Sequence, residues 1–299
     1  MALPDHLLIQ PFTRPVRGEV VLPGSKSLTN RALLLAALCD SPVTLTGALF
    51  SEDTEIMAEA LRQLGFVVKE DAEKKTIYVE GRDGRIPNRK ATLHVGLAGT
   101  AARFLTALCA TATSGGVYLI DGVPQMRKRP MKGLFDALVS QGAKIVYLGE
   151  TGFFPIELHS HGLRGGELSI DASESSQMLS ALLMVAPLAF ENLAIKPIGG
   201  VRRPFVEMTA RFMTDFTGLG VSLWPDGTYH PVRLSPENRY RSSGVYAIEP
   251  DATAASYFLA LPLVTEGALY LPELRTIPSQ TLQGDSVFAQ VLRTVGATI

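Results

Sequence analysis

Four stretches decide the architecture: GSKSLTNRALLLAAL (residues 24–38), GTAARFLTALCA (99–110), SSQMLSALLMVAPLA (175–189) and DATAASYFLALPLV (251–264). Each opens on small or polar residues and runs into an apolar segment of helical length, and their starts stand 75, 76 and 76 residues apart. A second landmark keeps the same period. The helical patterns EALRQLGFVV (59–68), DALVSQGAKIVYL (136–148), RFMTDFTGLGVSLW (211–224) and FAQVLRTVGATI (288–299) each reach a glycine and then an extended apolar run. Those glycines, Gly65, Gly142, Gly220 and Gly296, are separated by 77, 78 and 76 residues. Two landmarks on one period predict a fourfold repeat of about 76 residues, with the glycines in the left-handed conformation that closes a helix.

The runs VVLP (20–23), TIYVEG (76–81), VYLIDG (117–122), PIELHS (155–160), LAIKPIGG (193–200) and PVRLSP (231–236) read as short strands bounded by Gly and Pro. Each unit is therefore a mixed module and the expected class is α/β (α+β). If units pack in threes, residues 21–245 make one complete domain. Residues 1–20 with 246–299 then belong to a second domain, in which the fourth unit is unfinished. On that reading another chain supplies the rest, or the sequence is a fragment.

Composition narrows the function. The 299 residues are 46% apolar, with 28 Lys+Arg against 29 Asp+Glu, a formal net charge of −1. That excludes disorder and argues against bulk attraction to nucleic acid or an anionic membrane, so any cationic site must be concentrated. The start MALPDHLLIQPF has no basic segment leading into a long apolar run, and no stretch approaches the length of a membrane span. A cytoplasmic setting is expected. Cys39 and Cys109 lie inside apolar helical runs and read as core residues of a reducing compartment.

The repeated helix starts are where chemistry is expected, because a helix N-terminus offers free N–H groups and a positive dipole end. At the first, Lys26, Ser27 and Arg31 fall on one side of the start, a face suited to an anion. It is not a phosphate loop of the G-x-x-x-x-G-K-[ST] type, because Ser25 separates Gly24 from Lys26. At the second, Gly99 permits close backbone approach, Thr100 supplies a hydroxyl and Arg103 a cation. The third supplies Ser175, Ser176 and Gln177 in place of charge. Between them Arg127, Lys128 and Arg129 precede Pro130, with Arg129 a candidate for a carboxylate. His159 and His161 alternate on an extended segment with no third ligand near in sequence, so no metal site is expected. Asp251 reads as the N-cap of the fourth helix. No nucleophilic triad and no G-x-G-x-x-G turn is present, which disfavours covalent hydrolysis and hydride transfer.

The segments LPGSKSLTNRALLLAAL, LAGTAARFLTAL, RKRPM, SSQMLSALLMVAPLA, DATAASYFLA and LQGDSVFAQVL together resemble the 5-enolpyruvylshikimate-3-phosphate synthase family over essentially the whole chain. The resemblance implies six similar units in two three-unit domains with the active site in the cleft. It also implies transfer of the enolpyruvyl group of phosphoenolpyruvate to the 5-hydroxyl of shikimate 3-phosphate, in aromatic amino-acid biosynthesis, with no metal or organic cofactor. By the family pattern Lys26 is catalytic and touches both substrates, while Ser27 and Arg31 hold shikimate 3-phosphate. Gly99 and Arg129 bind phosphoenolpyruvate, supported by Thr100 and Arg103. Ser175 and Ser176 take the shikimate phosphate, Gln177 bridges the substrates and Arg203 neutralises the phosphate.

Three positions depart from the pattern. Leu97 stands where the family often has asparagine, Arg202 where it has serine, and Phe205 where it has tyrosine. The later units that carry the family's acid–base carboxylates and lysine have no counterpart in these residues. The expectation is a chain that keeps the shikimate-phosphate half-site and is inactive alone, with a complementing C-terminal chain as partner. Two alternatives stand beside it: a non-catalytic anion-binding fragment, and the sister transferase acting on UDP-N-acetylglucosamine.

Overall fold

The computed structural model describes residues 6–299. Residues 1–5, part of the segment 1–20 expected in a second domain, lie outside the described residues. In chain order the first unit contains β1 (Arg17–Glu19), α1 (Lys26–Leu38), β2 (Pro42–Thr46), α2 (Glu52–Gln63), β3 (Val68–Asp71) and β4 (Thr76–Glu80). The second contains β5 (Lys90–His94), α3 (Gly99–Cys109), β6 (Gly116–Asp121), α4 (Lys132–Ser140), β7 (Lys144–Tyr147) and β8 (Ile156–Ser160). The third contains β9 (Gly166–Asp171), α5 (Ser176–Val185), β10 (Leu193–Ile198), α6 (Arg203–Thr217), β11 (Val221–Leu223) and β12 (Tyr229–Pro231). After them come β13 (Val245–Ala247), α7 (Ala252–Thr265), β14 (Ala268–Tyr270) and α8 (Phe288–Thr294).

Three four-stranded sheets, ordered β13-β2-β4-β3, β5-β6-β8-β7 and β11-β12-β10-β9, repeat one plan. In the second and third, the opening strand runs parallel to the strand after the first helix: β5 with β6, and β9 with β10. The first sheet takes its parallel strand from far along the chain, pairing Val245 with Thr44 and Ala247 with Thr46. In return β1 pairs in parallel with β14 of the fourth unit. The chain thus exchanges opening strands between its first and fourth units. Residues 246 and 247, expected beyond a boundary at 245, sit in the first sheet.

The two exchanging segments cross as a short antiparallel pair. Gly24 bridges Pro250, the Ser25 N–H donates to the Glu249 carbonyl, and the Asp251 N–H to the Pro23 carbonyl, 2.9 Å each. This crossing takes up Pro23, and VVLP is not a strand; β1 lies just before it. PVRLSP likewise leaves the sheet after Pro231. The crossing presses on the first unit so closely that a Cβ on Gly24 would lie 2.0 Å from the Gly47 carbonyl oxygen. Backbone on both sides has nowhere to retreat. Gly24→Ala is expected to cost ~3 kcal/mol and lower Tm by about 6–12 °C, read by thermal unfolding; an unchanged Tm would mean that the crossing is loose.

The core lies where α1, α3 and α5 meet. α3 packs on both α1 and α5, and α6 closes over α1 and α5. The three opening helices are buried on nearly every face, as sequences apolar all round require. α7, their equivalent in the fourth unit, is just as apolar, yet Tyr257 and Val264 are each 77% exposed and only Ala252 and Ala255 are buried. Gly65, Gly142 and Gly296 adopt positive φ as expected. In the third unit the closing residue is Gly218 (φ 75°), two residues before Gly220. Cys39 and Cys109 are free and buried, and burial pushes the Cys39 thiol up to about 12. No helix among the described residues is long and apolar enough to cross a membrane.

Candidate functional site

Because α1, α3 and α5 pack together, their N-terminal turns come to one place, and hydrogen bonds tie them. Arg31, on the second turn of α1, is 2% exposed. Its Nε donates to Thr209 Oγ1 of α6 (2.9 Å), Nη1 to the Ser27 carbonyl (3.0 Å) and Nη2 to Ser180 Oγ of α5 (3.5 Å). Its guanidinium lies over the Phe104 ring at 5.3 Å. No carboxylate pairs with it among the described residues, and burial alone pulls it down from 12.5 to about 9. A buried guanidinium held by neutral acceptors, with N–H groups to spare, is an unneutralised charge presented to an anion.

Beside it is a cavity of about 150 Å³ lined by Ser27, Arg31, Glu174, Ser175, Ser176, Gln177, Arg202 and Phe205. Ser175 is the N-cap of α5, its hydroxyl accepting the Gln177 N–H at 3.3 Å. Gln177 reaches the second helix start. Its Oε1 accepts from Arg103 Nη1 (3.2 Å) and its Nε2 donates to Thr100 Oγ1 (3.0 Å).

The start of α3 forms a second seat. A Cβ on Gly99 would lie 2.6 Å from Arg129 Nη1 and 2.9 Å from Arg103 Nη1, so two guanidinium groups approach this backbone because glycine stands there. Arg103 also donates to the Gly99 carbonyl at 2.9 Å, and its Nε is buried without a partner. Burial first and then the charge of Arg129 pull Arg103 down to about 10, with Glu174 opposing. Two cations, an orphaned donor and a helix N-terminus converge on one small region.

Lys26 sits on the other flank of α1. Its Nζ is 3.4 Å from Asp53 Oδ2 in the first turn of α2, while its backbone N–H donates to Asp251 Oδ2 at 3.1 Å. Asp251 is the N-cap of α7, as expected, and accepts the Ala254 N–H at 2.9 Å. One carboxylate thus caps two helices.

Of the sequence candidates, Ser27, Arg31, Ser175 and Ser176 share the cavity. Gly99, Thr100, Arg103 and Arg129 meet at the second seat, and Gln177 joins the two. Arg203 is not among them. It lines a separate cavity with Val201, Asp226 and Tyr229, while Arg202 faces Ser175 and Ser176. Adjacent positions at a helix start point about 100° apart, so one residue of offset moves a cation to another face. Sequence reasoning also missed Thr209, Ser180, Asp53 and Glu174, of which only Glu174 carried a local signal, its adjacency to Ser175. Among the described residues no group of three or more His, Cys, Asp or Glu is gathered to hold a metal.

Comparison with known proteins follows the same lines. The family profile described as EPSP synthase (3-phosphoshikimate 1-carboxyvinyltransferase) matches residues 12–299. The 3-phosphoshikimate 1-carboxyvinyltransferase of Opitutus terrae is 59% identical over 298 residues, covering 99% of this chain and 68% of its own length. That of Trichormus variabilis is 43% identical over 296 residues, covering 99% and 67%. A solved EPSP synthase from Acinetobacter baumannii superposes with a TM-score of 0.77 at 22% identity, covering 96% of this chain and 61% of that one, a likeness of fold. The chain spans about two thirds of the length of the relatives it matches. With the repeat, the convergent helix starts and the family match in agreement, the chain belongs to the EPSP synthase family.

Proposed function

We propose that this chain takes part in transferring the enolpyruvyl group of phosphoenolpyruvate to the 5-hydroxyl of shikimate 3-phosphate, releasing phosphate, in a cytoplasmic aromatic amino-acid pathway. The observation that carries the reading is the pair of linked cationic seats: two anions held side by side suit two phosphorylated substrates. Ser27, Arg31, Ser175 and Ser176 receive shikimate 3-phosphate. Gly99, Arg103 and Arg129 receive phosphoenolpyruvate, with Thr100 holding Gln177 between the substrates. The family match favours this over the sister transferase for UDP-N-acetylglucosamine.

The hydroxyl gives up its proton to a base as its oxygen joins C2 of phosphoenolpyruvate, and the π electrons of the double bond take a proton onto the methylene carbon. The C–O bond to phosphate then breaks as the new methyl group gives a proton back. Lys26 is the acid–base group that the family pattern points to, and the two carboxylates beside it are engaged, Asp53 as its ion-pair partner and Asp251 as a cap, while Glu174 lines the phosphate seat. Each missing acid or base removes roughly 10²–10⁴ in rate. We assign the remaining acid–base groups to a complementing segment equivalent to the third of the relatives that this chain does not match. The exposed apolar α7 is the surface such a segment would cover.

Calorimetric titration with shikimate 3-phosphate, beside a phosphate-release assay with phosphoenolpyruvate, tests this. The chain alone is expected to bind without release. Adding the C-terminal third of the Opitutus terrae relative is expected to start turnover. Release at enzyme-like rates by the chain alone would overturn the assignment of acid–base groups, and absence of binding would overturn the substrate assignment.

A further inference from the structure

Glu174 is out of place in a phosphate site. It immediately precedes the α5 N-cap, borders the same cavity as Ser175, Ser176 and Arg31, and is exposed. A carboxylate there repels a phosphate monoester, which carries about −1.5 to −2 charges at neutral pH. Arg202, the N-cap residue of α6 and also exposed, lines the same cavity. Among the described residues neither side chain is engaged in an ion pair, whereas Arg127, Lys132, Arg239 and Arg241 each hold a carboxylate. Two opposite charges, neither in an ion pair, thus line one small polar cavity, with the Glu174 charge also felt by Arg103.

We propose that Glu174 and Arg202 are a compensating pair that sets the affinity and selectivity of this cavity for a phosphate dianion. The inference rests on the reading of the cavity as the shikimate 3-phosphate seat. Glu174 by itself weakens phosphate binding; Arg202 cancels that repulsion and restores a net positive cavity with Arg31. Arg202 is a specificity-determining residue here because a guanidinium offers paired N–H donors to phosphate oxygens. The ring hydroxyls gain nothing from either charge and the ring carboxylate is common to both ligands, so the pair acts on what distinguishes the phosphorylated ring from the unphosphorylated one, its phosphate.

The test compares wild type, Glu174→Gln, Arg202→Ser and the double variant in the 299-residue chain. Binding of shikimate 3-phosphate, shikimate and inorganic phosphate is titrated at low salt, with circular dichroism confirming the fold. Both positions are exposed, so all four proteins are expected to fold. For shikimate 3-phosphate, Arg202→Ser is expected to weaken binding about tenfold and Glu174→Gln to tighten it about three- to tenfold. The double variant is expected within about threefold of wild type, and shikimate affinity is expected to stay within about twofold throughout. These differences shrink in 0.3 M salt because screening acts on exposed charges. A Glu174→Gln variant that binds the phosphorylated ligand no tighter, or equal shifts for shikimate and its phosphate, would overturn the pair. Opposed shifts of the two single variants with inorganic phosphate, in proteins that do not bind shikimate 3-phosphate, would sustain the pair and overturn the substrate reading. Binding of neither ligand by wild type would overturn both.

Discussion

Replacing Arg31 with methionine is expected to weaken shikimate 3-phosphate binding at least about a hundredfold while raising the unfolding temperature by about 2–4 °C. The binding loss follows from a guanidinium that lines the cavity with N–H groups to spare; charge-assisted hydrogen bonds to phosphate contribute about 1.5–3 kcal/mol each, and two of them exceed a hundredfold. The stability gain follows from burial. Desolvation pulls Arg31 down to about 9, so the empty folded state carries a charge that the unfolded chain hydrates freely. The sign is fixed by that direction: a base whose pKa falls on folding is a cost at every pH below its unfolded value. Methionine is long enough to pack against Phe104 and carries no charge to desolvate. The hydroxyls it leaves behind keep partners, since Thr209 Oγ1 lies 2.9 Å from both Ser180 Oγ and the Phe205 carbonyl. Titration and thermal unfolding of one sample decide the matter. Loss of binding together with a fall in Tm would make Arg31 a structural residue, and retained binding would remove it from the site.

Gly99→Ala separates the two seats. Gly99 opens α3, and its φ is not in the left-handed region, so alanine fits the backbone and gains helix propensity of up to about 1 kcal/mol. What it cannot do is share space with Arg129 Nη1 at 2.6 Å and Arg103 Nη1 at 2.9 Å from the new carbon. Both are far ends of flexible side chains, so the fold holds and the guanidinium groups move. The expected result is phosphoenolpyruvate affinity lower by about ten- to a hundredfold in the presence of saturating shikimate 3-phosphate. Affinity for shikimate 3-phosphate itself is expected to stay within about twofold, because its proposed ligands lie on the α5 and α1 side. Equal losses for both ligands would mean that the seats are one, and no loss for phosphoenolpyruvate would take it away from Gly99.

The repeat, the opening helices and most of the residues that the candidate site gathers were legible in the sequence, for a local reason. An apolar run preceded by a capping serine or glycine encodes a helix and its start within a few residues. Once four such starts keep one period, Lys26, Arg31, Gly99, Arg103, Ser175 and Gln177 are positioned by their distance from the cap alone.

What tertiary structure decided is whatever depends on residues far apart in the chain. The exchange of β1 and β13 between units joins three-residue strands too short to show alternation, whose pairing is determined by partners more than 200 positions away. Gly218 rather than Gly220 closes α6, a two-residue difference that the preceding pattern TGLG leaves open. Arg31 gains its meaning from Ser180 and Thr209, 149 and 178 residues later, because only packing of α1 against α5 and α6 removes water from around it. Arg202 and Arg203 are indistinguishable as letters, yet one turns to the cavity and the other to a different face. Residue type and helix phase were local properties of the sequence; burial, charge environment and shared cavities arise only when separate helices exclude solvent together.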